Sequence, residues 1–273
     1  MASGASREAY GEALDRFAAD TASATAAQLA TVADEILSVA GLLRGQPRLR
    51  RALTDPSRPG ADRAQLFKSL LAGKVSEACV NTVSVLAAGR FSRPVELLDA
   101  TERLGVEALL ASAERDGKLA DVEDELFRFA QIVSGNSRLA VTLSDVSASV
   151  EERVKLVRDL LKGKVHVATG RLVEVALTGF GGRGFEASLT RLVEATAAKR
   201  DREVAYVTVA KPLTDADEQS LAAKLSALYS REVSLKVDVD PSVLGGVSVR
   251  VGSDLYDGTV LRKLNQAKQA FAK

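Results

Sequence analysis

Apolar residues recur along this chain in two rhythms. Up to about residue 44 the rhythm is helical: Tyr10, Leu14, Phe17 and Ala18 stand at i, i+4, i+7 and i+8. Leu29, Val32, Ala33, Ile36, Val39, Ala40 and Leu43 repeat the pattern in a second helix. Ser6 is placed to cap the first helix, and Gly45 and Pro47 punctuate the end of the second. After Arg202 the rhythm shortens. Glu203 to Ala210 is rich in β-formers, and Pro212 ends that strand. Thr214 and Asp217 can cap a helix carrying Leu221, Leu225 and Leu228 on one stripe. Val233, Leu235, Val237 and Val239 then alternate with Ser234, Lys236, Asp238 and Asp240, the period of a half-buried strand. Asp240-Pro241-Ser242 reads as a turn, and Gly245-Gly246 leads into an alternating Val247, Val249 and Val251. Asp257 can cap a last helix with Val260, Leu261, Leu264 and Phe271. The tail is therefore predicted as β-α-β-β-α.

Between these ends the helical pattern repeats itself. A shift of 90 residues aligns residues 47–91 with 137–181 at 16 identical positions of 45, without a gap. Leu53, Asp55, Arg63 and Leu66 recur as Leu143, Asp145, Arg153 and Leu156, and Gly73-Lys74-Val75 recurs as Gly163-Lys164-Val165. Upstream, Asp34-Glu35 matches Asp124-Glu125. Each copy, roughly 29–116 and 119–201, reads as helix, short helix, turn, helix. In the second, Ser149 and Glu152 form a capping-box signature. The expected architecture is α+β and mostly α: an N-terminal helical bundle over 1–118, a second helical repeat over 119–202 and a small α+β domain over 203–273.

Composition narrows the function. With 37 Lys+Arg against 36 Asp+Glu, the net charge is +1. The two signs also balance within residues 1–118, 119–203 and 204–273. No segment carries the basic excess that a phosphate backbone requires, so nucleic acid is not an expected partner. One Cys (Cys79) and one His (His166), far apart, offer no disulfide and no Cys/His zinc site. No run of about 18 apolar residues and no apolar leader is visible, so membrane insertion and a signal peptide are not expected.

Motifs that suggest chemistry have simpler readings. Residues 179–184 spell Gly-Phe-Gly-Gly-Arg-Gly, with Glu203 about 20 residues on. The preceding segment, however, aligns with a helix rather than with the buried strand a dinucleotide site needs. Gly73-Lys74 and Gly163-Lys164 lack the rest of a phosphate loop and read as helix stops. His166 has Ser76 as its counterpart and reads as structural; Cys79, among Ala78, Val80 and Val83, reads as a buried thiol. The arginines from Arg44 to Arg63 are interrupted by Asp55 and Asp62 and lack interleaved aromatics. No catalytic, cofactor or metal constellation emerges. The Tyr10, Leu14, Phe17 stripe is either core or the edge of a groove for a partner's amphipathic helix. A generic helical-repeat adaptor, a nucleotide-dependent enzyme and an RNA-binding protein are the competing classes.

The last 70 residues resemble the C-terminal domain of the delta subunit family of rotary F-type ATP synthases, which includes the oligomycin sensitivity-conferring protein. The resemblance lies in Val204 to Ala210, Leu213-Thr214, the run Val237-Asp-Val-Asp240-Pro241-Ser-Val-Leu-Gly245-Gly246-Val247, Val251-Gly252, and Tyr256-Asp257-Gly-Thr259-Val260. Thr259 stands where the family has Ser. Residues 9–18, the Leu49 to Pro56 segment and Asn81 to Phe91 are similar to the family's opening helix, a Leu-x-x-Pro segment and the fifth helix with its Gly-Arg turn. Residues 119–198 are a departure, a second helical copy where the family usually has one bundle.

The resemblance implies a non-catalytic stator subunit without cofactor, peripheral on the cytoplasmic face of the cell membrane, serving proton-driven ATP synthesis. Carried over by position, the N-terminal helices of the alpha subunit would lie in a groove of Tyr10, Ala13, Leu14, Phe17, Val80, Val83 and Leu86. The C-terminal domain would hold the C-terminal region of the b subunit. Its family motif comprises Asp240, Pro241, Gly245, Gly246, Gly252, Asp257 and Thr259.

Overall fold

A computed structural model describes residues 4–229, 232–251 and 254–260. Twelve α-helices and four strands lie among them. Compactness divides the chain at one place, into Met1–Thr196 and Ala197–Lys273. Residues on both sides of position 118 thus share the first unit.

That unit begins with α1 (Gly4–Asp20) and α2 (Ala26–Gly45). The sequence pattern placed two helices within residues 6–44 without fixing the boundary between them. The separation is set by Thr25, whose side chain accepts from the Gln28 N–H while Gln28 reaches back to the Thr25 N–H. Ser6 is not the cap of α1, because the helix already includes Gly4. The unit continues with α3 (Pro47–Leu53), α4 (Gly60–Leu71), α5 (Glu77–Ala88) and α6 (Pro94–Arg115). The second copy supplies α7 (Leu119–Gly135), α8 (Ser137–Ser144), α9 (Val150–Leu161), α10 (Val167–Leu177) and α11 (Phe185–Asp201).

The 90-residue offset holds at the level of atoms. α4 and α9 start and stop in register. Asp55 and Asp145 each accept from the N–H two residues on, at 2.9 and 2.8 Å, fixing the same turn before each helix. Glu35 accepts from the Ser76 N–H at 3.0 Å, and Glu125 from the His166 N–H at 2.8 Å, so each carboxylate caps the last-but-one helix of its copy. Gly73 and Gly163 take φ of 70° and 68°, the left-handed helix stop. The predicted capping box at Ser149 and Glu152 is present.

α6 is buried on almost every side, through Leu97, Leu104, Leu109 and Leu110 among others. It packs against α1, α2, α3 and α5 of the first copy and against α7 and α10 of the second. One helix therefore closes the first bundle and supports the second, and the two copies share one hydrophobic core. α2 is long and apolar enough to cross a membrane by length and composition. Its apolar stripe, Leu29 through Leu43, is buried in this core, and its Glu35 caps α5.

The second unit holds β1 (Arg202–Val209), α12 (Asp215–Tyr229), β2 (Glu232–Val239), β3 (Val247–Val251) and β4 (Asp254–Asp257). The sheet order is β2-β1-β3-β4, with β1 and β2 parallel and the other pairs antiparallel. Ala205, Val207 and Val209 of β1 pack with Leu225, Val233, Val249 and Val251 into a separate small core. Thr214 caps α12 as expected, its Oγ1 accepting from the Asp217 N–H at 3.2 Å. β4 was not predicted. The expected last helix beyond Val260, and Gly252, fall outside the described residues.

Candidate functional site

The first surface of interest lies along α1 and α5. α1 presents Ala9, Ala13 and Phe17, all buried, to the bundle. Its C-terminal end is clasped to α5 by Asn81, whose Nδ2 donates to Asp20 at 3.2 Å. Its middle lies against the end of α5, where a Cβ on Gly89 would fall 2.3 Å from the Cβ of Ala9. The two helices therefore run antiparallel, and only glycine permits their approach at position 89.

The N-terminal end of α1 is anchored differently. Ser6 donates its hydroxyl to Glu96 Oε2 at 2.6 Å, and the same carboxylate accepts from the Ser92 N–H at 3.1 Å and from Arg93 Nε at 3.2 Å. These bonds, the Ser6 bond foremost, hold the buried Glu96 carboxyl below the usual carboxylate range. The Arg103 guanidinium lies over the Tyr10 ring, 4.3 Å from its centre.

The residues predicted to line a groove therefore separate into two sets. Ala13, Phe17, Val83 and Leu86 are 4% exposed or less and belong to the shared core. Tyr10, Leu14 and Val80 are half-buried and reach the surface while packing on that core. The periodicity identified all seven as one apolar set but could not say which of them would be capped by the chain's own helices. The carboxylate anchors, Glu35 and Glu96, were missed as such; the recurrence of Glu35 as Glu125 was the available signal.

The second surface of interest is the C-terminal motif. Asp240 accepts from the Ser242 N–H at 2.8 Å, and these hydrogen bonds to Ser242 hold its carboxyl below the usual range. Its own N–H donates to the Val209 carbonyl at 2.8 Å, tying the turn to β1. Pro241 opens a short 3-10 turn, and Leu244 takes a left-handed φ of 62°. At Gly246, φ is 78° and a Cβ would meet the Gly258 carbonyl oxygen at 2.4 Å. The loop is latched by Gly258 N–H to the Val247 carbonyl and Val260 N–H to the Gly245 carbonyl, each at 2.9 Å. Asp257 accepts from the N–H of buried Thr259 at 3.0 Å. The motif residues thus fix backbone geometry, joining the turn after β2 to the turn after β4.

The other sequence motifs resolve into structure. Residues Phe180–Gly182 form a 3-10 turn between α10 and α11, with Gly179, Gly181 and Gly182 all at positive φ. The preceding element is a helix, which is not the frame of a dinucleotide site. His166 caps α10, its Nδ1 accepting from the Ala168 N–H at 3.2 Å. Burial pushes the Cys79 thiol up to about 12, so it stays neutral and unreactive. No group of three or more His, Cys, Asp or Glu suited to a metal occurs among the described residues.

Comparison with known proteins shows which family the chain resembles. Residues 7–104 and 106–271 match the protein-family model described as ATP synthase delta (OSCP) subunit. The chain is 59% identical to the ATP synthase subunit delta of Salinispora arenicola and 56% identical to that of Salinispora tropica, in each case over the full length of both chains. A chain from the mitochondrial ATP synthase hexamer of Toxoplasma gondii matches 62% of this chain and 95% of its own length, at 18% identity and a TM-score of 0.30, a likeness too loose to argue from.

Proposed function

The chain belongs to the ATP synthase delta (OSCP) subunit family, non-catalytic components of the peripheral stalk, and on that premise we propose that it ties the catalytic head to the membrane-anchored b stalk and resists rotor torque. In this reading residues 1–118 hold an N-terminal helix of the alpha subunit, residues 203–273 hold the C-terminal region of the b subunit, and residues 119–202 extend the helical body between them. The complex works at the membrane during proton-driven ATP synthesis, with this chain on its cytoplasmic face. The observation that carries the head contact is the half-buried apolar edge of Tyr10, Leu14 and Val80 on two helices locked together at Gly89 and Asn81. A rigid pair of helices with an apolar edge suits the docking of an amphipathic helix, whose apolar face replaces water along the edge.

A stator has no chemistry to perform; it transmits force. The glycine-and-turn latches of the C-terminal motif support that role, because a loop fixed at both ends does not yield under load.

The test is calorimetric titration of the full chain with a peptide covering the alpha subunit's N-terminal helix. Leu14→Asp and Val80→Asp place charge on the accessible edge and are expected to weaken binding at least tenfold while circular dichroism stays unchanged. Phe17→Asp is unsuitable, since it buries a charge in the core and unfolds the bundle. Binding that is unaffected by both edge substitutions would move the alpha contact elsewhere on the chain.

A further inference from the structure

We propose that a trough between α2, α9 and α10 seats a helix of the b stalk, a contact additional to the one assigned to residues 203–273. The trough stands on the geometry of the first unit; its occupant rests on the stator reading above.

The trough follows from a difference between the two copies. In the first, α4 comes so near the end of α5 that a Cβ on Gly60 would lie 2.5 Å from the Ala88 carbonyl oxygen. Arg63, one turn on, then reaches the carbonyls of Ala87, Ala88 and Gly89. In the second copy Val150 stands at the position of Gly60, and Thr178 at that of Ala88. A valine cannot make that approach, so α9 stands off from the end of α10. Arg153, the counterpart of Arg63, bonds the Leu143 carbonyl and keeps its Nε buried without a partner. The space that results is about 600 Å³, lined by Val150 of α9 and Thr178 of α10. Interiors pack to crystal density, so a space of this size with a cause in the sequence is a built feature.

Its shape and lining suit a helix. On α2 the lining runs from Asp34 to Arg44, about 15 Å at 1.5 Å per residue. Leu37, Val150, Val154 and Val175 give it an apolar floor. Val150 and Val154 stand where the first copy has Gly60 and Ala64, so the second copy adds apolar surface here. Most charges around the trough are matched within the chain: Arg44 with Glu102 at 2.6 Å, Arg171 with Asp34 at 2.9 Å and Arg158 with Glu174 at 2.6 Å. Along the α9 rim, Glu151, Lys155 and Asp159 are exposed and enter no ion pair among the described residues. They stand at i, i+4 and i+8, a negative, positive, negative row on one face. A helix that lays a narrow apolar stripe on the valines and offers the opposite charges beside it matches both floor and rim. Such a helix is polar over most of its circumference and stands in water by itself, as a stalk does. The Tyr10, Leu14 and Val80 edge asks for a broad apolar face instead, so the two seats do not compete for one partner.

The full chain is titrated calorimetrically with the extramembrane part of the b subunit. Val154→Asp and Lys155→Glu are expected to weaken binding by about tenfold and about threefold, with helical circular dichroism unchanged. The alpha-subunit peptide should bind both variants as before. Leu255→Asp, at an exposed side chain of the second unit, tests the contact assigned to residues 203–273 separately. Binding of b that is unaffected by both trough substitutions overturns this seat and leaves the stator reading standing. Loss of the alpha peptide in place of b means another occupant and overturns it as well. If the unsubstituted chain does not bind b, the stator reading fails and the seat fails with it. If Val154→Asp unfolds the chain, Lys155→Glu decides alone.

Discussion

Gly89 and Ala9 approach so closely that any Cβ at position 89 would lie 2.3 Å from the Cβ of Ala9. The φ of Gly89 is −67°, so the demand is for space and not for a left-handed backbone. The antiparallel seating of α1 on α5, and with it the apolar edge proposed for docking, depends on that missing methyl.

Gly89→Ala should therefore lift α1 away from α5. The expected cost is about 1–3 kcal/mol, as for other overpacked contacts. Chemical denaturation measures it, and hydrogen exchange should show α1 losing protection before α2 or α6. Unchanged protection of α1 would mean that the neighbouring backbone absorbs the methyl.

Gly246→Ala tests the second unit. The position combines a φ of 78° with a Gly258 oxygen 2.4 Å from the would-be Cβ, and neither can be relieved by a rotamer change. A loss of about 1–3 kcal/mol is expected, confined to amide protection in β1, β2 and β3. The helices of the first unit should exchange as before, since its core is separate.

Arg63 and Arg153 occupy the same place in the two copies and are both buried. Arg63 donates to the carbonyls of Asp55, Ala87, Ala88 and Gly89 at 2.8 to 3.1 Å, binding the α3–α4 loop to the end of α5. Arg153 donates to the Leu143 carbonyl at 3.0 Å. Replacing Arg63 by Met strands several carbonyls and should cost roughly 3 kcal/mol, more than Arg153→Met. Denaturant midpoints of the two variants compare them directly. Equal losses would contradict the difference in their bonding.

The Glu96 carboxyl, held low chiefly by Ser6, makes α1 pH-sensitive. Its folded value lies below the unfolded one, so the stabilisation is present above the ordinary carboxylate range and is lost as pH falls through the folded value. Ser6→Ala should cost about 1–2 kcal/mol at pH 7. Once the carboxyl is protonated in both chains, the gap should narrow. Urea unfolding at neutral and acid pH measures the gap, and a constant gap would exclude the charged form of Glu96 as its source.

Cys79 is fully buried on α5 with its thiol pushed up to about 12. The folded chain should resist a thiol reagent at pH 8 and react with one equivalent on unfolding. Rapid labelling of the native chain would show α5 opening away from the core.

Much of this protein was legible in its sequence because the governing interactions are local. The 90-residue repeat, the stops at Gly73 and Gly163, the Ser149 capping box and the Thr214 cap depend on a few neighbouring residues, and each stands where the pattern put it. The Gly245-Gly246 turn was visible as well, because no other residue pair serves that backbone so readily. Tertiary packing decided the rest. Periodicity marks Phe17 and Leu14 as apolar alike, yet only the arrangement of helices buries one and leaves the other at the surface. No local signal shows that α6 serves both copies, that Gly89 must clear Ala9, or that Arg171 reaches Asp34 across 137 residues of chain. Those relations exist only once distant helices meet.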